Sequence, residues 1–158
     1  MLRNDMSKKE ITVIVVALSS PVLIGLYHDN ILIDKISSEE RSSEILPEIF
    51  TELLDKYTIE NLIYAKGPGS FMSIKVGYLF LKTISIVNNI TFLATDAFYF
   101  NKNTPIKAVG KLYFVKTLQE IKTEMFVDAP KSIFELPQEL HLEDFEEDTA
   151  PAYAIGAV

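Results

Sequence analysis

Apolar and polar residues change rhythm along the chain, and each change marks an element. Residues 11–27 are nearly all apolar, broken only at Ser19-Ser20-Pro21. A β-branched run such as Ile11-Thr12-Val13-Ile14-Val15-Val16 suits a central strand covered on both faces. Two buried strands, residues 11–18 and 22–27, are therefore predicted, with a tight turn between them. Asp29-Asn30 is a hairpin signal, and residues 31–36 read as a third strand. After a polar loop (37–43), Ile45, Leu46, Ile49, Phe50, Leu53, Leu54 and Tyr57 recur at helical spacing, opposite Glu48, Thr51, Glu52, Asp55 and Lys56. Pro47 lies near the start of that helix, where a missing N–H does least harm. A short strand (61–65), a Lys66-Gly67-Pro68-Gly69-Ser70 loop, a second helix (70–88) and a strand (90–94) follow, and then a helical or irregular stretch holding Phe98, Tyr99 and Phe100. Residues 101–105 read as a linker. Beyond it a hairpin turns about Gly110 (106–109 and 111–116), and a further strand covers 124–127. The tail from 129 has little periodicity, with irregular packing expected and disorder at 143–149. The order β-β-β-α-β-α-β predicts an α/β fold with a mixed sheet flanked by helices.

The second helix departs from the usual amphipathic pattern. Phe71, Ile74, Tyr78, Leu81 and Ser85 form one face, and Met72, Val76, Leu79, Phe80, Thr83 and Val87 form another. Lys75, Lys82 and the serines are nearly the only interruptions. A helix apolar almost all round must bury more than one side. One face can cover the sheet. The rest calls for the first helix and a second chain, with Gly77 permitting close approach.

Composition narrows the chemistry. The chain has 158 residues and no cysteine, which excludes a disulfide scaffold, a thiolate zinc site and a cysteine nucleophile. It has two histidines, His28 and His141, read as a surface residue and a tail residue. The net charge of −7 resides in the tail, where seven acids from Glu135 to Asp148 meet no Lys or Arg. That tail reads as a solubilising segment or as a contact for a basic partner. Without a basic stripe the chain is a poor nucleic-acid binder on its own, since such affinity comes mostly from neutralising phosphates. Asp5 and Glu10 spoil a basic leader, and Ser19-Ser20-Pro21 divides the apolar run, so neither a signal peptide nor a membrane span is expected. A cytoplasmic location is.

Gly67-Pro68-Gly69-Ser70, between a strand and a helix, has the parts of an anion cradle. It lacks the Gly-Lys-Ser/Thr of a P-loop and the third glycine of a dinucleotide fingerprint. By itself it reads as a tight turn with Ser70 capping the helix. Ser70 has no nearby base for nucleophilic chemistry. Phe98-Tyr99-Phe100 reads as core at a lobe junction, with Lys102 and Lys107 as the nearest cations.

The segment Tyr64-Ala-Lys-Gly-Pro-Gly-Ser-Phe-Met-Ser-Ile-Lys-Val-Gly77 resembles the TsaB (YeaZ) family pattern Gly-x-Gly-Pro-Gly-Ser-Phe-Thr-Gly-Leu-Arg-Ile-Gly. The opening hairpin ending in Ser19-Ser20, Ile45-Leu46-Pro47 in the first helix, and a closing Pro151-Ala-Tyr153 also resemble that family. The likeness covers 11–100 well and fades after 105. It implies an actin-like ATPase (ribonuclease H-like) fold with a mixed five-stranded sheet. It also implies a role beside the catalytic paralogue TsaD in making threonylcarbamoyladenosine on tRNA. The departures are specific. Ala17-Leu18-Ser19 stands where the superfamily carries the aspartate that orients metal-bound phosphate, Arg41 stands for a usual His, and Met72-Ser73 stands for Thr-Gly. The paired-histidine motif of metal-holding relatives is absent, and the second lobe is shorter.

The expectation is a non-catalytic partner with an N-terminal lobe (1–104) and a shortened, acidic-tailed second lobe (105–158). A helical bundle would join it to a TsaD-type subunit, or to a second copy when alone. Phe71, Ile74, Tyr78 and Leu81 would be buried anchors beside Ile45, Ile49, Phe50 and Leu53, with Lys75 and Lys82 at the rim. A TsaE-type ATPase is a further expected partner, and tRNA is met only indirectly. No catalytic, metal or cofactor site is expected. The rivals are a residual ATPase, with ATP or ADP and magnesium held at the interface near Gly67–Ser70, and a stand-alone homodimeric scaffold.

Overall fold

The structure, a computed structural model, describes residues 8–118 and 120–152. The opening run forms β1 (Lys9–Val16) and β2 (Val22–His28), which pair antiparallel, and β3 (Ile31–Ser38) continues the meander. The Asp29-Asn30 turn has φ of 52° and 65°, the left-handed geometry that Asn and Asp tolerate best. Helix α1 (Ser42–Lys56) leads straight into β4 (Tyr57–Ala65), which runs parallel to β1. Tyr57 thus ends the helix and starts the strand, and β4 begins four residues before the expected 61. The extra residues pair with Lys9, Glu10 and Ile11. Helix α2 (Phe71–Val87) crosses over to β5 (Thr91–Thr95), parallel to β4. The sheet order is β3-β2-β1-β4-β5, the mixed five-stranded arrangement expected.

The central strands of this sheet are buried on both faces, which is why β1 is apolar without alternation. Ile11, Val13 and Val15 point to the side covered by α1 and α2, where Leu46, Phe50, Leu53 and Leu81 meet them. Ile14, Val16, Tyr27 and Ile63 point to the other side. Among the described residues the only helical side chain of α1 or α2 in that core is Ile74. That face is covered by the 3₁₀ turn Ala97–Phe100, by the second sheet and by the tail.

The second sheet has three antiparallel strands, β6 (Ile106–Val109), β7 (Leu112–Thr117) and β8 (Glu120–Met125). β8 starts four residues before the expected 124, because the chain reverses tightly at Leu118, whose φ is 54°. The Asn101–Pro105 junction separates the two sheets but not their cores, since Ile106 and Phe114 pack with Ile14, Phe98 and Leu140.

The tail corrects the expectation of disorder at 143–149. It is an ordered strap. Leu32 N–H donates to Gln138 O (2.9 Å) and Leu140 N–H to Asn30 O (2.8 Å), which seats it against the start of β3. It then crosses to β5, where Ala94 and Glu146 exchange two hydrogen bonds of 2.9 Å. Leu140, Phe145 and Thr149 are buried along the way.

Candidate functional site

Two regions carry the residues singled out by sequence, the Gly67–Ser70 loop and the outer face of α2. The loop is occupied by its own chain. Gly67 has φ of 120°, and a Cβ added there would sit 2.5 Å from the carbonyl oxygen of Ala152. Ala152 N–H donates to Lys66 O (2.7 Å), Ala97 N–H to Gly67 O (2.7 Å), and Ser70 N–H to Leu18 O (3.1 Å). A Cβ on Gly69 would meet Leu18 Cβ at 3.0 Å. The glycines therefore admit the strap and the β1–β2 turn, where an anion cradle would leave its N–H groups open. Ser70 caps α2, its Oγ accepting from Ser73 N–H at 3.4 Å.

Lys66 extends this clamp. Its ammonium bonds Glu146 Oε1 and the Asp148 carbonyl, both at 3.0 Å. Tyr64 Oη donates to Thr149 O, and Tyr99 Oη donates to Asp144 Oδ2 at 2.8 Å. Several tail acids are thus engaged within the chain. Burial and the Asp144 carboxylate hold the Tyr99 phenol up at about 12. Tyr27, buried and donating to Pro137 O at 2.7 Å, is raised further, with burial the larger cause. At the far end of the sheet Glu60 is the extra residue of a β1–β4 bulge, and burial and the neighbouring Glu10 raise its carboxyl.

A cleft of about 730 Å³ opens between the β1–β2 turn, Gly69-Ser70, β6 and residues 132–134. Its polar lining is Ser19, Ser20, Ser70, Lys107 and Ser132. None of these is a carboxylate that could hold magnesium beside a phosphate. With the Gly67 position filled by Ala152, these residues do not fit a magnesium nucleotide. Of Ala17-Leu18-Ser19, Leu18 and Ser19 line this cleft, while Ala17 is buried on the side covered by α1 and α2.

The predicted interface residues divide sharply. Ile74 (2% exposed) and Leu81 (0%) belong to the chain's own core, as do Ile45, Phe50 and Leu53. The expected anchors Ile74 and Leu81, and Ile45, Phe50 and Leu53 expected beside them, thus pack within the chain itself, because α2 lays the Ile74–Gly77–Leu81–Ser85 face on the sheet. Ile49 and Tyr78 are half-buried, Tyr78 beside the rings of Tyr64 and Phe92 (centroids 6.0 and 6.3 Å). Lys82 is half-buried, with Nζ 5.9 Å from the Phe92 ring centroid, while Phe71 and Lys75 are exposed.

The outward side is the other apolar face. Met72, Leu79 (54% exposed), Ile86 (68%) and Val87 face solvent. With Val76 and Thr83 they form the series Met72-Val76-Leu79-Thr83-Ile86, spaced alternately four and three residues apart. That is the seam of a helix that packs along another helix at a shallow angle. Sequence reasoning passed over Ile86, and the signal for it was this spacing. Both faces of α2 are apolar, so hydrophobicity could not say which one the sheet takes. Toward α1 the seam borders a groove of about 340 Å³ lined by Arg41, Ser43, Met72, Ser73 and Val76 among others. Ala152 lies against the loop, while Tyr153 of the closing motif lies outside the described residues.

No family model matches the chain, and no curated protein matches it by sequence. Solved structures do match it. YeaZ from Pseudomonas aeruginosa aligns with a TM-score of 0.58 at 10% identity, over 84% of this chain and 73% of that one. A second match is the crystal structure of an uncharacterized protein with similarity to peptidase YeaZ from Pseudomonas aeruginosa. It gives a TM-score of 0.53 at 11% identity, over 78% of this chain and 66% of that one. The chain has a TsaB/YeaZ-like fold and is shorter than these neighbours.

Proposed function

We propose that this chain is a TsaB-type, non-catalytic subunit that docks through the outer face of α2 onto a TsaD-type paralogue and supports threonylcarbamoyl transfer to tRNA adenosine. The observation that carries this reading is the exposed Met72-Val76-Leu79-Thr83-Ile86 seam. Fully burying a Leu or Ile side chain is worth roughly 1.5–3 kcal/mol. About half or more of Leu79 and Ile86 remains exposed, so part of that gain waits for a partner helix. In this reading the tRNA and the transfer chemistry belong to the partner, which suits a chain of net charge −7. The chain's contribution is to hold the partner's facing helices in one arrangement.

The test is to mix purified chain with a TsaD-type protein and follow complex formation by light scattering and calorimetry, with tRNA threonylcarbamoylation as the activity readout. Leu79→Asp and Ile86→Asp should each weaken the complex at least about tenfold, a loss of about 1.4 kcal/mol. Ile33→Asp, exposed on β3, should bind as the parent does. Undiminished binding by both seam variants would remove α2 from the interface.

A further inference from the structure

A different edge of the molecule carries its own complementarity. β8 is the outer strand of the second sheet, paired only with β7 among the described residues. We infer that β8 is a two-fold contact through which two copies of this chain join their second sheets into one continuous antiparallel sheet.

Phe126 N–H donates to Lys111 O (2.9 Å) just past the β7–β8 ladder. Antiparallel pairs alternate between hydrogen-bonded and non-bonded. Glu124, Lys122 and Glu120 therefore turn their N–H and C=O groups toward Tyr113, Val115 and Thr117. Ile121, Thr123 and Met125 turn theirs outward. An added antiparallel strand can satisfy those groups only in registers that set odd-numbered residues opposite odd-numbered ones.

Charge then selects among these registers. Centring the two-fold axis on Lys122 sets Lys122 against Lys122 and Glu120 against Glu124. Centring it on Glu124 sets Glu124 against Glu124. Centring it on Ile121 does pair Glu120 with Lys122, but it leaves Thr123 and Met125 beyond most of the overlap. Centring it on Thr123 sets Lys122 opposite Glu124 twice and Ile121 opposite Met125 twice, with the whole strand engaged. Cross-strand opposite charges and apolar pairs stabilise an antiparallel ladder, while like charges oppose it. One register thus satisfies main chain, charge and hydrophobicity together. Among the described residues neither Lys122 nor Glu124 forms an ion pair within the chain. Met125 is exposed although its strand partner Leu112 is half-buried, so the apolar row already runs to this edge. β6 and β7 separate β8 from the cleft beside α2, so the contact leaves the α2 seam open.

The experiment is light scattering of the full chain over a concentration series, together with amide hydrogen exchange on the same samples. The expected mass rises toward twice the 17.8 kDa chain, and protection grows with concentration at Ile121, Thr123 and Met125. Thr123→Pro should give a monomer, since the lost N–H points away from β7 and proline is tolerated on an edge. Lys122→Glu should also give a monomer, and Lys122→Glu/Glu124→Lys should restore the dimer. A chain that stays monomeric throughout, or a dimer indifferent to Lys122→Glu, overturns the contact as drawn. A dimer lost in Leu79→Asp and kept in Thr123→Pro also overturns it, by assigning self-association to α2. The proposed function stands or falls separately, on binding to the TsaD-type protein.

Discussion

Gly67 shows how much one position can decide. Its φ of 120° and the 2.5 Å that would separate an added Cβ from the Ala152 carbonyl oxygen leave room for no side chain. Gly67→Ala should cost about 1–3 kcal/mol from backbone strain, and more if the strap is pushed away. Urea unfolding checks this, and an unchanged midpoint would mean the strap does not close on the loop. The tyrosines make a second prediction. A phenol whose folded pKa lies above its unfolded value of 10.0 favours the folded state below pH 10. That advantage fades as pH rises toward about 12 for Tyr99. Tyr27, raised further, acts in the same direction. Stability should therefore decline through this alkaline range, and Tyr27→Phe should flatten the decline while costing about 1 kcal/mol near neutrality for the lost bond to Pro137. A pH series of melting temperatures compares the two proteins.

Among the elements, α2 separates stability from docking. Leu81→Ala, on the sheet-facing side, should destabilise by about 2–5 kcal/mol because it opens a cavity in a packed core. Leu79→Asp, on the outer side, should change the unfolding midpoint little, since its carboxylate stays in water. Paired denaturation curves read this difference. Equal losses would mean that both faces are enclosed. The same helix marks where sequence reading ran out. The length and position of α2 followed from its apolar run, from Ser70 as its cap and from Asn88 beyond its end. Its orientation did not, because Ile74 and Leu81 are chemically no different from Leu79 and Ile86. The β1–β2–β3 meander was legible because a turn signal with positive φ at Asp29 and Asn30 divides runs of unlike pattern. The strap was not, because Leu140 and Phe145 are isolated apolar residues among acids and reach the core only through contacts far away in the chain.

At the scale of the whole molecule, the strap replaces the helices that would cover the second face of the sheet. It joins β3 to β5 and ends on the Gly67 loop, so it closes the fold across its width. Ending the chain after Pro137 should expose the Tyr27, Ile63 and Leu93 side of the sheet and abolish the cooperative thermal transition. A sharp transition retained by that truncated chain would show the strap to be dispensable. Lys66→Met should act more mildly, because only Glu146 and the Asp148 carbonyl lose their partner. Among the described residues no helix is long and apolar enough to cross a membrane.

By itself the sequence determined the elements, their order, and the likeness carried by the Gly67–Ser70 segment, because turn chemistry, capping and periodicity act over a few residues. Only the tertiary structure decided which face of α2 stays in water, what fills the Gly67 position and where the acidic tail lies. Each of those outcomes depends on contacts between residues distant in the chain, and local patterns of polarity are the same for either choice.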